Sequence, residues 1–205
     1  MSAAPSPSNL SNNLPKSLIL ASTSKYRKEL LGRLGIPFET LSPEVDESPL
    51  PNENPEQIAL RLAQAKAIAI SKTHRDSWVI GSDQVVDLHG AAMGKPGDFD
   101  RAMAQLQLLR GETVRFHTAL CLAKGEESKL INVITEVKFR ELKDSVLEAY
   151  LLAETPYDCA GSAKSEGLGI CLLEYVRSDD PTALIGLPLI ALSGLLRDAG
   201  FKIPG

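Results

Sequence analysis

Several things are scarce in this 205-residue chain, and each scarcity excludes something. Cysteine occurs only at Cys121, Cys159 and Cys171, an odd and widely spaced set that supports neither a disulfide framework nor a cysteine metal site. Reduced thiols and a cytoplasmic protein are the expectation. The three histidines, His74, His89 and His117, stand at no metal-ligand spacing and read as isolated side chains. No apolar run approaches the length of a bilayer span. Positive charge is not in excess: the net charge is -4, which gives little support to nucleic-acid binding and points to a small ligand. No internal repeat appears at solenoid spacing. The first sixteen residues, rich in Ser, Pro and Asn, lack the basic start and apolar stretch of a secretory signal and read as a disordered tail. Residues 17–205, in a chain that is 43% hydrophobic, are enough for one domain with a substantial core.

What is present alternates. Leu18, Ile19 and Leu20 read as a buried strand, and Tyr26, Leu30, Leu31 and Leu34 recur at helical spacing after it. A short strand over 36–42 is followed by a long acidic, proline-rich loop, 43–55. A helix over 55–71 has Pro55 in its first turn and Ile58, Leu62, Ala65 and Ala69 on one face, with Arg61 and Lys66 outside that stripe. A strand over 78–88 begins at Trp78, read as a core residue at the strand edge, and carries Asp83 and Gln84 at its middle, where polar groups need partners. After a turn at 94–97 comes a helix over 99–110 with Gly111 at its C-terminal cap. Strands over 113–123 and 130–140 follow, then a helix capped by Asp144. The loop 158–169, DCAGSAKSEGLG, brings backbone close to something. A strand over 170–176, a turn at 179–181 and an apolar helix over 188–199 close the chain; Cys159 and Cys171 read as small buried hydrophobes. Interleaved strands and helices with one adjacent strand pair predict an α/β fold, a three-layer mixed-sheet domain whose ligand sits near strand ends.

The first strand passes into its helix through Ala21-Ser-Thr-Ser24, and Lys25, Arg27 and Lys28 open the helix. Unpaired N–H groups and the helix dipole make such a turn suited to an anion, although Ser24 serving as a plain cap with solvated cations fits equally well. Further polar sets are Glu44, Asp46 and Glu47; Lys66 and Lys95; and Asp83 with Gln84. Cations suit phosphate oxygens whereas carboxylates do not, so their co-occurrence suggests a divalent metal between carboxylate and phosphate. Scattered surface charges and a structural buried Asp remain the alternative.

The ordered motifs LILASTSxxRxxLL, PEVDE, RLAxxKA, IGSDQ, GKP, TEVKF, DCAGSxKSEGLGI and LIGLPL resemble the Maf family of nucleoside triphosphate pyrophosphatases over roughly residues 17 to 200. The resemblance implies metal-dependent hydrolysis between the α and β phosphates, with Mg²⁺ or Mn²⁺, on an elongated fold shared with inosine triphosphatase-like enzymes that is often a homodimer. It assigns Asp83 as proton acceptor, metal ligand or both, Glu47 as a metal ligand, and Ser22, Arg27, Lys66 and Lys95 to the substrate phosphates. Glu44 and Asp46 are left as a solvated acidic loop. The chain has Ser24-Lys-Tyr-Arg-Lys28 where the family's commonest first motif reads S-P-R-R.

Tyr26, Gln84 and Glu166 resemble the subgroup acting on 7-methyl-GTP rather than the one acting on dTTP and UTP. The chemistry is consistent: an aromatic ring lies well against a methylated, cationic guanine, and a carboxylate accepts from its N1–H and N2–H donors. The rival expectations are a dTTP/UTP pyrophosphatase and a non-catalytic nucleotide-binding regulator linked to cell division.

Overall fold

The structure is a computed structural model and describes residues 16–204, so all but Lys16 of the predicted tail lies outside it. The elements run β1 (Leu18–Ala21), α1 (Lys25–Gly32), β2 (Glu39–Leu41), α2 (Pro55–Ser71), β3 (Trp78–Leu88), β4 (Ala91–Met93), α3 (Phe99–Leu109), β5 (Thr113–Lys124), β6 (Glu127–Phe139), α4 (Asp144–Glu154), β7 (Leu173–Ser178) and α5 (Leu189–Asp198). The strands form one 7-stranded sheet in the order β2-β1-β3-β5-β6-β7, with β4 paired to β3. β1 lies parallel to β2 and β3, while the remaining pairs are antiparallel, so the sheet is mixed.

Alternation along the strands produces the three layers. Ile19, Ala21, Val79, Val85, Ala119 and Cys121 point to one face and meet Ile58, Leu62, Ala63 and Ala67 of α2. Leu18, Leu20, Ile80, Leu120 and Leu122 point to the other face, against Leu30 and Leu31 of α1 and Leu192 and Leu196 of α5. Further along that second face, Val86, Val114, Phe116, Val137 and Phe139 pack on α3 and α4.

Four local readings change. The hairpin β3–β4 was not expected; it turns at His89 and Gly90, both at positive φ, and Gly90 N–H donates to Asp87 Oδ1 at 2.6 Å. Residues Leu168–Leu172 form a 3₁₀ turn, and the strand placed at 170–176 runs instead over Leu173–Ser178. The cause is local: Gly169 packs so closely on the backbone of Lys164 that a Cβ there would sit 2.5 Å from its carbonyl oxygen, which folds the loop back before the strand begins. Asp144 is not a cap, since Lys143 holds that position without a side-chain bond and the Asp144 carboxylate takes Arg110 Nη1 at 2.6 Å and Gln107 Nε2 at 3.0 Å. Only Cys121 is buried; Cys159 is half-buried and Cys171 exposed.

One feature of the packing places the site. Gly81 of β3 lies directly beneath α2, and a Cβ built on it would stand 2.2 Å from the Ala63 carbonyl oxygen. Only glycine lets helix and strand approach this closely. Lys66 and Asp83, one turn and two residues further along, are thereby brought face to face.

Candidate active site

Alternation also divides the polar residues of β3. Asp83 faces α2 and is 7% exposed, and Lys66 of α2 is 6% exposed. Lys66 Nζ donates to Asp83 Oδ1 at 2.7 Å and lies 2.8 Å from Glu47 Oε1, so one ammonium bridges two carboxylates. Asp83 Oδ2 bonds to no described residue. Glu47, on the loop between β2 and α2, is more open. Burial alone would raise its pKa, but the hydrogen bond and charge of Lys66, helped by Lys95 and Arg27, outweigh that and hold the carboxyl below its ordinary value of 4.5.

The neighbouring residues on β3, Ser82 and Gln84, point the other way. Ser82 Oγ is 2.8 Å from the Ala119 carbonyl and 3.0 Å from that of Gly186, and Gln84 Nε2 lies 3.0 Å from Thr118 Oγ1 and from the carbonyls of Ala183 and Leu184. These bonds hold the segment 183–187 against the sheet. Gly186, at φ 113, accepts from Arg27 Nε at 2.9 Å, which leaves both terminal nitrogens of that guanidinium without a bonded partner among the described residues. Burial lowers the Arg27 pKa, an effect opposed by the charges of Asp83 and Glu47. The preceding turn is tight: Ser24 Oγ accepts from Arg27 N–H at 3.4 Å and caps α1, while Ser22 Oγ accepts from Ser24 N–H at 3.2 Å.

These groups line a cavity of about 360 Å³ whose walls include Ser24, Arg27, Glu47, Lys66, Asp83 and Lys95. A side chamber of about 70 Å³ adds Ser22 and shares Ser24, Arg27, Glu47, Lys66 and Lys95. Away from this charged end the walls become Tyr26, Pro49, Ile58, Val85, Asp158 and Ala160, a size and mixture that suit one small ligand. Tyr26 OH stands 3.4 Å from Asp158 Oδ1, and Lys25 Nζ lies 4.8 Å from the Tyr26 ring centroid. Burial raises the Tyr26 pKa, with further upward contributions from Cys159, Asp158 and Glu166, so the phenol stays protonated.

The structure therefore gathers seven of the nine predicted site residues around one cavity, and Ser22 lines the side chamber beside it. Gln84 is on its wall, with its amide hydrogens turned to Thr118 and the 183–184 carbonyls. The remaining one, Glu166, is exposed and lines neither, although its charge is felt at Tyr26. Sequence reasoning missed Asp158, a wall residue that opens the DCAG stretch, and Ser82, which fixes Gly186. It also left out His117, which is buried and accepts at Nδ1 from Asn132 Nδ2 at 3.0 Å, outside the cavity wall.

No cluster of three or more His, Cys, Asp or Glu positioned for a metal occurs among the described residues. Asp83 Oδ1 and Glu47 Oε1 both meet Lys66 Nζ, so a hard cation that takes one or two carboxylates and completes its shell with water and phosphate oxygens would be held by their other oxygens. Among the described residues no helix is long and apolar enough to cross a membrane.

The fold and cavity define a class: an α/β protein with a pocket lined by Arg27, Lys66 and Lys95 on a mixed sheet, built around a lysine-bridged carboxylate pair. The chain belongs to the Maf family, described as Maf-like protein, which it matches over residues 17–199. It is 58% identical over 198 residues to a protein of Cupriavidus metallidurans named 7-methyl-GTP pyrophosphatase, covering 96% of this chain and 100% of that one. A protein of the same name from Burkholderia thailandensis is 57% identical, covering 94% and 91%. Among solved structures, the Ham1 proteins of Staphylococcus aureus and Coxiella burnetii align at TM-scores of 0.43 and 0.41, each 15% identical over 62% of this chain and 74% of theirs, a likeness too slight to bear on function.

Proposed function

We propose that this protein hydrolyses 7-methyl-GTP to 7-methyl-GMP and pyrophosphate. The observation that carries the reading is the Asp83 carboxylate: Oδ1 is held by Lys66 at 2.7 Å while Oδ2 is free at the wall of a cavity rich in cations. Full-length relatives named for this activity support the choice of substrate.

In the proposed reaction, Asp83 Oδ2 takes a proton from the water that attacks the α phosphorus. The bond from that phosphorus to the bridging oxygen breaks, and pyrophosphate leaves with its charge facing Arg27, Lys66 and Lys95. Ser22, Ser24 and the first N–H groups of α1 complete the phosphate cradle. Glu47 and Asp83 would hold a divalent cation such as Mg²⁺ or Mn²⁺, which supplies charge neutralisation and polarisation at the phosphate oxygens. Tyr26 and Asp158 sit where the base would lie, and Gln84 contributes mainly by fixing the 183–187 wall. Glu166 adds a negative charge beside Tyr26 that favours a cationic base.

We further read residues 17–205 as one domain, cytoplasmic, acting without nucleic acid or membrane partners, with a homodimer suggested by the family resemblance. Pyrophosphate release from 7-methyl-GTP, GTP, dTTP and UTP, with Mg²⁺ or Mn²⁺ and Asp83→Asn protein as blank, tests the reading. Turnover led by 7-methyl-GTP is expected. A preference for dTTP or UTP overturns the choice of base but keeps the chemistry; binding without release overturns the enzyme.

A further inference from the structure

Glu47 sits on a stretch, residues 42–54, that contains neither helix nor strand, and its side chain is 60% exposed. A single ion pair to so open a carboxylate does little to hold a loop. Something else must fix the backbone that presents Glu47 to Lys66.

Arg61 supplies that hold. It lies on α2, the helix that also carries Lys66. Its Nε and Nη2 donate to Glu53 Oε1 and Oε2 at 2.5 and 2.8 Å, and Nη2 also donates to the Ser48 carbonyl at 3.0 Å. One guanidinium therefore clamps the carbonyl of Ser48, the residue after Glu47, and the far end of the same loop. Both partners are partly covered, with side-chain exposures of 27% for Arg61 and 13% for Glu53. Glu53 Oε2 in turn accepts from Leu50 N–H at 2.8 Å, and Asp46 Oδ1 accepts from Ser48 N–H at 2.9 Å, so the loop is braced on both sides of Ser48. A planar fork makes these contacts together, which a lysine ammonium does not reproduce.

We propose that Arg61, through Glu53 and the Ser48 carbonyl, is a positioning residue that sets Glu47 for the cation carried by the nucleotide's phosphates. It touches no reacting atom and acts only through the loop. This proposal rests on the reading of Glu47 as a metal ligand.

The test compares wild-type protein with Arg61→Gln, Arg61→Lys and Glu53→Gln by two measurements. Hydrogen exchange of the Ser48 and Leu50 amides is expected to quicken about tenfold in Arg61→Gln and Glu53→Gln without nucleotide or metal. The Mg²⁺ concentration giving half-maximal pyrophosphate release is expected to rise about tenfold, with turnover at saturating Mg²⁺ little changed. Arg61→Lys, able to pair with Glu53 but not also to hold Ser48, falls between. A residue that merely stabilises the fold would lower the melting temperature without moving the Mg²⁺ requirement. Unchanged exchange, or an unchanged Mg²⁺ requirement with faster exchange, overturns the proposal. Should Arg61→Gln fail to fold, Glu53→Gln breaks the same clamp from the loop side. If wild-type protein releases no pyrophosphate from any nucleotide, the proposed function fails, and the exchange measurement still decides whether Arg61 holds the loop.

Discussion

The two ends of the cavity are built differently. At the charged end, Lys66 and Asp83 come from a helix and a central strand, are almost fully buried, and meet at 2.7 Å. At the other end, Tyr26 and Asp158 are partly or largely open, come from the start of a helix and from a loop, and meet at 3.4 Å. On the proposed function, the difference separates two tasks. Bond breaking needs groups whose separation does not change, whereas reading a base tolerates, and is adjusted by, a more open wall.

Asp83→Asn attacks the rigid end most directly: turnover is expected to fall about a thousandfold with folding retained, as pyrophosphate release and circular dichroism would show. Retained turnover would remove the asymmetry between the ends. Lys66→Met comes next. It leaves Asp83 buried without its partner, with an expected loss of about 3 kcal/mol in denaturant unfolding; a loss below about 1 kcal/mol would mean that water readily replaces the ammonium. At the open end the effects are smaller and concern choice rather than rate. Asp158→Asn is expected to reduce the preference for 7-methyl-GTP over GTP by about tenfold, a contribution of about 1.4 kcal/mol, and Glu166→Gln by less, because Asp158 lines the cavity and Glu166 does not. A reversed order would return the base contact to Glu166.

The smallest effect is expected from pH. Lys66 is the main group holding the Glu47 carboxyl below its ordinary value of 4.5. The pair is therefore complete at neutral pH, and its contribution is lost only as pH falls through that depressed value. Glu47→Gln should flatten the acid limb of the pH profile of activity measured at fixed Mg²⁺, and a limb unchanged in that variant would assign it to another group.

How much was legible in the sequence follows the same division. Strand alternation and helical spacing give the three layers because burial dictates them, and Asp83 stood out because a carboxylate in so apolar a strand requires a partner. What stayed hidden depends on backbone approach or on tertiary competition. The β4 hairpin turns through a histidine at positive φ, which no turn signature announces. Asp144 has the chemistry of a cap, but Arg110 competes for it successfully. That the Gln84 amide meets the carbonyls of Ala183 and Leu184 is likewise invisible in one dimension. Arg61 was placed only outside the apolar stripe, since nothing in one dimension shows that an irregular loop returns to it.

Gly81 matters for what it omits. With no side chain between them, α2 and β3 touch backbone to backbone, so the spacing of Lys66 and Asp83 is referred to main-chain atoms rather than to a layer of side chains that can change rotamer. The empty space of one methyl group thus acts as a gauge block for the reacting centre, and sequence drift elsewhere in the core can be absorbed without resetting it.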